Sequence, residues 1–112
     1  MDAAQLYSST LEQLNALILK MLSPEWDAKV QSAPQDQRQQ ALGELLRVQH
    51  ARLVLGNAAL QEIAEKLKAN EQALLDGQRA LKAALDKLAT VESVLKTVSS
   101  LINVVARVVP LL

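Results

Sequence analysis

Leucine and its branched relatives recur at every seventh position over the last two thirds of this chain. One series, here called a, is filled ten times without a gap by Leu46, Leu53, Leu60, Leu67, Leu74, Leu81, Leu88, Leu95, Ile102 and Val109. A second series, d, runs from Leu42 to Leu112 and includes Ile63, Val91, Val98 and Val105. An isolated straight helix would drift from such a repeat by about 20° per heptad. The repeat therefore predicts an all-α protein with coiled-coil or bundle packing.

Two architectures share this repeat. In the first, residues 36–109 form one very long helix, because a loop would be free to reset the heptad phase. In the second, the helix breaks near residues 69–78, where Asn70 or Gly77 can end it, and the chain folds back as a three-helix bundle. Asn70, at a d position, either fixes the register of the seam or marks the bend. We expect the long helix, because a glycine costs only about 1 kcal/mol inside a helix.

The N-terminal third predicts one further helix and a short connection within a single helical domain of residues 1–112. Residues 2–22 carry leucines at helical spacing and form an amphipathic helix. Residues 23–35 form a turn or a short helix, in which Ser23 is the N-cap and Pro24 the first helical residue. We expect Trp26 to anchor this segment to a neighbour.

Composition excludes several classes of function. Twelve basic and twelve acidic side chains cancel, and the chain contains one Trp, one Tyr and no Phe. Neither a basic field nor a set of aromatic stacking platforms is therefore present for nucleic acid. The absence of cysteine removes disulfides and thiolate ligands and is compatible with a cytoplasmic protein. The start of the chain lacks the pattern of a signal peptide.

No pattern of catalytic or cofactor-binding residues stands out. His50 is the only histidine and has no HExxH motif or Cys/His cluster around it, so no metal site is predicted. The serines lack a base and an orienting acid, and three scattered glycines do not form a phosphate-binding loop. We expect no enzyme, no cofactor and no catalytic residue.

The C-terminal segment 91–112 is the most apolar part of the chain. Charges at Lys96 and Arg107 leave only residues 97–106 uncharged between them, whereas a membrane-spanning helix needs about 20 apolar residues. Its apolar face also includes the g positions Val94, Leu101 and Val108, and a face this wide suits a bundle of three or more helices. The same face could lie on a membrane surface.

We therefore expect a non-enzymatic helical interaction or assembly protein that forms a homo-oligomer or binds a protein partner. Its composition is typical of small accessory proteins of bacterial or phage type. The alternative is a membrane-active protein, pore-forming, holin-like or lysis-related, that places segment 91–112 on lipid. The predicted interaction face consists of Leu46, Leu53, Leu60, Ile63, Leu67, Leu74, Leu81, Leu88, Val91, Leu95, Val98, Ile102, Val105 and Val109.

Overall fold

The computed structural model describes residues 1–87 and 90–111, which form α-helices joined by short connections. The helices are α1 (Ala3–Met21), α2 (Pro24–Gln31), α3 (Gln35–Asn57), α4 (Leu60–Ala69), α5 (Glu71–Asp86) and α6 (Val91–Val108). The prediction of an all-α protein with the character of a helical bundle is confirmed.

Local side chains define where three of these helices begin. Asp2 accepts a hydrogen bond from the backbone N–H of Gln5 at 2.8 Å, and the Gln5 side chain accepts one from the N–H of Asp2. Ser23 caps α2 by accepting from the N–H of Trp26, with Pro24 as the first helical residue. Thr90 caps α6 in the same manner. These bonds satisfy backbone donors that a helix N-terminus otherwise leaves without partners.

Four long helices form a bundle in which α1, α3, α6 and α5 are neighbours in that cyclic order. Helix α1 is antiparallel to α3, since Tyr7 lies at Leu55 and Asn15 bonds to Arg52. Gln78 on α5 is paired with the N-terminal half of α1. Each pair of neighbours buries one face of each helix, so the bundle closes around a shared apolar core.

The two short helices lie at opposite ends of this bundle. Helix α2 follows the C-terminal end of α1 and packs on α1 and α3, with Trp26 only 6% exposed. Helix α4 packs on α1 and α6 at the other end. The expectation that Trp26 anchors the segment after α1 is confirmed by its burial.

Helix α6 supplies the largest share of the core. Its buried residues include both the a and d positions and the three g positions: Val91, Val94, Leu95, Val98, Leu101, Ile102, Val105 and Val108. Lys96 and Arg107 are exposed on its other side. The wide apolar face predicted for segment 91–112 therefore forms part of the core of the bundle, where α3, α4 and α5 cover it.

The prediction of one continuous helix over residues 36–109 is wrong. Ala58 and Ala59 are extended, with φ/ψ of −75°/141° and −74°/124°, and they separate α3 from α4. Helix α5 ends at Asp86 with Lys87 as its C-cap, and α6 begins at Val91 with Thr90 as its N-cap, so these are also separate helices. A continuous helix would leave its long apolar face in water, whereas the folded chain buries that face against its own segments.

The predicted break near residues 69–78 is present at Asn70. This residue separates α4 from α5 with φ −108° and ψ 13°, and its side-chain Nδ2 donates to the carbonyl of Lys66 at 2.8 Å. Asn70 therefore marks a bend, and the bonded amide satisfies a carbonyl at the end of α4. The heptad phase survives this bend, since Leu67 and Leu74 on either side are both fully buried.

Helix α3 buries the face opposite to the one that the heptads predict. Its buried residues are Ala41, Glu44, Val48, Ala51 and Leu55. The heptad residues Leu42, Leu46 and Leu53 instead point to solvent. The extended Ala58 and Ala59 uncouple the rotation of α3 from that of α4, so α3 is free to turn a face with smaller side chains to the core.

Candidate interaction surface

Five leucines on α1 and α3 form an exposed apolar face, here called the leucine surface. Leu19 and Leu22 on α1 are 71% and 59% exposed, and Leu42, Leu46 and Leu53 on α3 are 61%, 59% and 60% exposed. Among the described residues, the remaining large apolar side chain with comparable exposure is Met1. Single exposed leucines are ordinary, but a group of them on adjacent helices is typical of an interaction site.

The antiparallel packing of α1 on α3 brings the two sets of leucines together. Arg52 Nε donates to Asn15 Oδ1 at 2.8 Å across the pair of helices. Closer to the C-terminal end of α1, Met21 of α1 and Leu42 of α3 line the same cleft. Leu19 and Leu22 therefore lie at the same level along the pair of helices as Leu42 and Leu46 in the N-terminal half of α3.

The outer face of α3 carries one formal charge, that of Arg38. This residue is exposed, precedes Leu42 by one helical turn and lines a cleft together with it. The other two arginines of α3 point to the sides of the helix: Arg47 bonds to α6 and Arg52 to α1. The exposed uncharged residues that share this face with the three leucines are Gln35, Gln39, Gln49, His50 and Asn57.

A cleft beside Leu42 extends the leucine surface toward α2. Its volume is about 280 Å³, and its lining is Met21, Trp26, Asp27, Val30, Gln31, Arg38, Ala41, Leu42 and Leu45. Trp26 also lines a second cleft of about 230 Å³ on the side facing α5 and α6. A cleft of this size is large enough to accept an apolar side chain of a partner.

A polar cluster between α3 and α6 holds the inner side of α3 in place. Arg47 Nη1 donates to Glu44 Oε1 at 2.8 Å, and Arg47 Nη2 donates to Asn103 Oδ1 at 3.1 Å. Arg47 Nη1 also lies 3.3 Å from the Ser99 hydroxyl. Glu44 is 7% exposed, and its second carboxylate oxygen, Oε2, has no hydrogen-bond partner among the described residues. The cluster explains how an acidic residue is tolerated on the core side of α3.

The structure divides the predicted interaction face into two groups. Leu46 and Leu53 are exposed, and Leu60 is half-buried. Ten others are buried within the single chain: Ile63, Leu67, Leu74, Leu81, Val91, Leu95, Val98, Ile102, Val105 and Val109. Leu88 lies outside the described residues. Only the first group is available to a partner while the bundle stays closed.

His50 lies at the edge of the leucine surface rather than in a site. Its Nε2 is 3.1 Å from the backbone carbonyl of Leu111, and the side chain is exposed. Within residues 1–87 and 90–111, no three His, Cys, Asp or Glu side chains are grouped as metal ligands. In the same part of the chain, no helix has the length and apolarity that crossing a membrane requires.

Sequence reasoning missed Leu19 and Leu22. Leu19 falls on the polar side of segment 2–22 together with Glu12 and Asn15, and its position opposite to the buried Leu14 was the available signal. Leu22 belongs to the apolar residues of that segment by spacing, but it is exposed because α1 ends at Met21.

Comparisons of this chain with protein-family models, with curated proteins and with solved structures find no match.

Proposed function

We propose that this chain is a non-enzymatic helical interaction protein whose binding site is the leucine surface. The main support for this proposal is that five exposed leucines lie on the outer sides of the neighbouring helices α1 and α3. The apolar face of α6, by contrast, is buried inside the bundle. Contiguous apolar surface of this kind is costly in water and is typical of a site that a partner covers. The cleft beside Trp26 supports the proposal, because buried anchor pockets concentrate binding energy at interfaces.

The buried heptad residues of α6 do not contribute directly to the proposed binding site. Leu95, Val98 and Ile102 are 0% exposed and stabilise the monomer, so they act on binding only through the fold. The membrane-active alternative would require the bundle to open, because the apolar face of α6 contacts α3 and α5. The burial of α6 therefore favours the interaction function over the membrane-active one.

Purification from the native source tests this function. We would compare the wild-type chain with the triple variant Leu42→Ser, Leu46→Ser and Leu53→Ser, and use circular dichroism to verify that both are folded. A matched control replaces the exposed residues Lys96 and Ser100 on α6, away from the leucine surface, by Ser and Ala. We expect the wild type and the control to retain a companion chain in stoichiometric amount, and the triple variant to lose it. Equal association in all three proteins, with self-association also unaffected by the leucines, would contradict the proposed site.

A further inference from the structure

We propose that the occupant of the leucine surface is a second copy of this chain, with α3 packed on α3 of the other copy. This inference rests on the proposed function, since it names the partner of the same surface. It follows from the spacing, the charge and the area of the exposed residues.

The spacing of the outer residues of α3 is that of a coiled-coil seam. Leu42, Leu46, Gln49 and Leu53 follow one another at intervals of four, three and four residues. The buried residues of α3, from Ala41 to Leu55, follow intervals of three and four on the opposite side. Helix α3 therefore has two heptad faces, of which the bundle uses one. A heptad face packs best against another helix with the same repeat, because its side chains fit the spaces between four residues of the facing helix. A second α3 supplies such a face.

The charge of the surface permits contact between identical copies. A two-fold dimer places the same patch on both sides of the interface, so any net charge on that patch would face itself. The exposed charges beside the leucines are Glu12 on α1 and Arg38 on α3, which have opposite signs, and the whole chain has a net charge of zero. A partner selected by opposite charge would instead require a net charge on this surface.

The area of the α1 and α3 layer matches what a stable dimer needs. At 1.5 Å per residue, the 23 residues of α3 extend about 35 Å, and two helices packed about 10 Å apart form a layer about 20 Å wide. This layer offers about 700 Å² on each copy, against about 800 Å² per partner in a specific interface of standard size. Helix α3 alone would offer only about half of this area, so Leu19 and Leu22 on α1 are needed to complete the contact.

Sedimentation velocity over a concentration series tests the dimer. Between about 1 µM and about 300 µM, we expect the wild type to pass from monomer to dimer or to be dimeric throughout. The double variant Leu46→Ser/Leu53→Ser should raise the dissociation constant by at least about 100-fold, since each leucine is lost twice in a two-fold interface. The exposed pair Lys96→Ser/Ser100→Ala on α6 is the control and should leave the constant unchanged. A wild type that stays monomeric, or a dimer that the leucine variant does not weaken, would overturn the inference.

Cysteine crosslinking locates the contact, because the chain has no cysteine of its own. We would oxidise the single variants Leu42→Cys and Leu53→Cys separately and as a mixture. A parallel dimer crosslinks each variant to itself. An antiparallel dimer centred between Leu46 and Gln49 places Leu42 opposite Leu53 and crosslinks only the mixture. Either pattern supports the inference. Absence of both in a dimeric protein, or equal crosslinking of the control Ser100→Cys, would overturn it.

Failure of this inference and failure of the proposed function are distinguishable. If the purified chain is monomeric, yet a different protein copurifies from the native source and is lost with Leu42, Leu46 and Leu53, the second copy is excluded and the interaction site stands. If the leucines affect neither self-association nor copurification, the interaction site itself is excluded.

Discussion

Gly77 on α5 packs directly against Leu101 on α6. A Cβ atom added to Gly77 would lie 3.1 Å from Leu101 Cδ1, closer than side chains normally approach. The absence of a side chain at Gly77 therefore allows α5 and α6 to pack closely. Gly43 on α3 is the natural comparison, because a Cβ there would meet nothing within 4 Å.

We expect the same substitution to have different effects at these two glycines. Gly43→Ala should raise the free energy of unfolding by about 0.5–1 kcal/mol, because alanine favours the helix and has free space. Gly77→Ala should give no such gain, and Gly77→Val should lower the free energy of unfolding by about 1–3 kcal/mol through overpacking against Leu101. Urea denaturation measures each value, and Gly43→Val is the control, with an effect near zero. Equal responses at both positions would disprove the close α5–α6 contact.

Tyr7 ties the start of α1 to the end of α3. Its hydroxyl lies 2.9 Å from the carbonyl of Leu55 and within 3.3 Å of the carbonyls of Gly56 and Ala58. Carbonyls at the end of a helix lack an intrahelical partner, although that of Leu55 also accepts a hydrogen bond from the N–H of Ala58. Tyr7→Phe removes the donor and keeps the ring, so we expect the free energy of unfolding to fall by about 1 kcal/mol. Chemical denaturation measures the change, and a variant as stable as the wild type would show that water replaces the hydroxyl at no cost.

The pair of Glu44 and Arg47 gives a prediction about buried charge. Arg47→Ala leaves the Glu44 carboxylate buried without its 2.8 Å partner, so the free energy of unfolding should fall by about 1–2 kcal/mol. This expected loss is smaller than the loss from breaking a fully buried ion pair, because the Arg47 side chain is 42% exposed. Adding Glu44→Leu to this variant should recover most of the loss. A double-mutant cycle of the four proteins measures the coupling, and strictly additive effects would contradict it.

Glu71 gives a prediction about pH. The hydrogen bond from Lys68 Nζ, 2.6 Å from Glu71 Oε1, holds the pKa of the Glu71 carboxyl below its ordinary value of 4.5, and the charges of Lys68 and the Met1 ammonium lower it further. Partial burial of the carboxyl opposes this shift. Because the pKa is lower in the folded chain, the contact stabilises the fold above the unfolded pKa, and this contribution disappears as the pH falls through the folded pKa.

We expect Lys68→Gln to return the pKa of Glu71 toward 4.5. A carbon-detected NMR titration of the Glu71 carboxyl measures this shift, and Lys96→Gln on the distant α6 is the control. A pKa of Glu71 that does not respond to the loss of Lys68 would assign the shift to another cause.

The heptad repeat predicted the helical class and the core contributed by α4, α5 and α6, because apolar periodicity reports directly which helix face is buried. Leu67, Leu74, Leu81 and Leu95 are all buried as the repeat requires. The repeat could not predict the break at Ala58 and Ala59. Alanine favours helices, and the extended conformation there depends on the contacts of Tyr7 and α4 with distant residues. Because the chain is extended between α3 and α4, the heptad pattern of α4 no longer determines which face of α3 is buried.

The candidate site was predictable only in part for the same reason. Leu46 and Leu53 belonged to the predicted interaction face and are exposed, whereas Leu95 and Ile102 belonged to the same series and form the core. Sequence spacing alone does not distinguish a seam that closes within one chain from one that faces outward. That distinction depends on which helices are neighbours, which is a property of the fold.

Thermal unfolding of two matched variants, Leu46→Glu and Leu95→Glu, tests the central claim most directly. Both residues occupy the a position of the same heptad series, but Leu46 is 59% exposed on α3 and Leu95 is 0% exposed on α6. At protein concentrations at which both chains are monomeric, we predict that Leu46→Glu unfolds cooperatively with a Tm within a few degrees of the wild type, since exposed substitutions change stability by at most about 0.5 kcal/mol. We predict that Leu95→Glu loses cooperative unfolding, because it buries an unpaired carboxylate in the core. A folded Leu95→Glu variant, or the unfolding of Leu46→Glu, would contradict this account of the fold and of the surface.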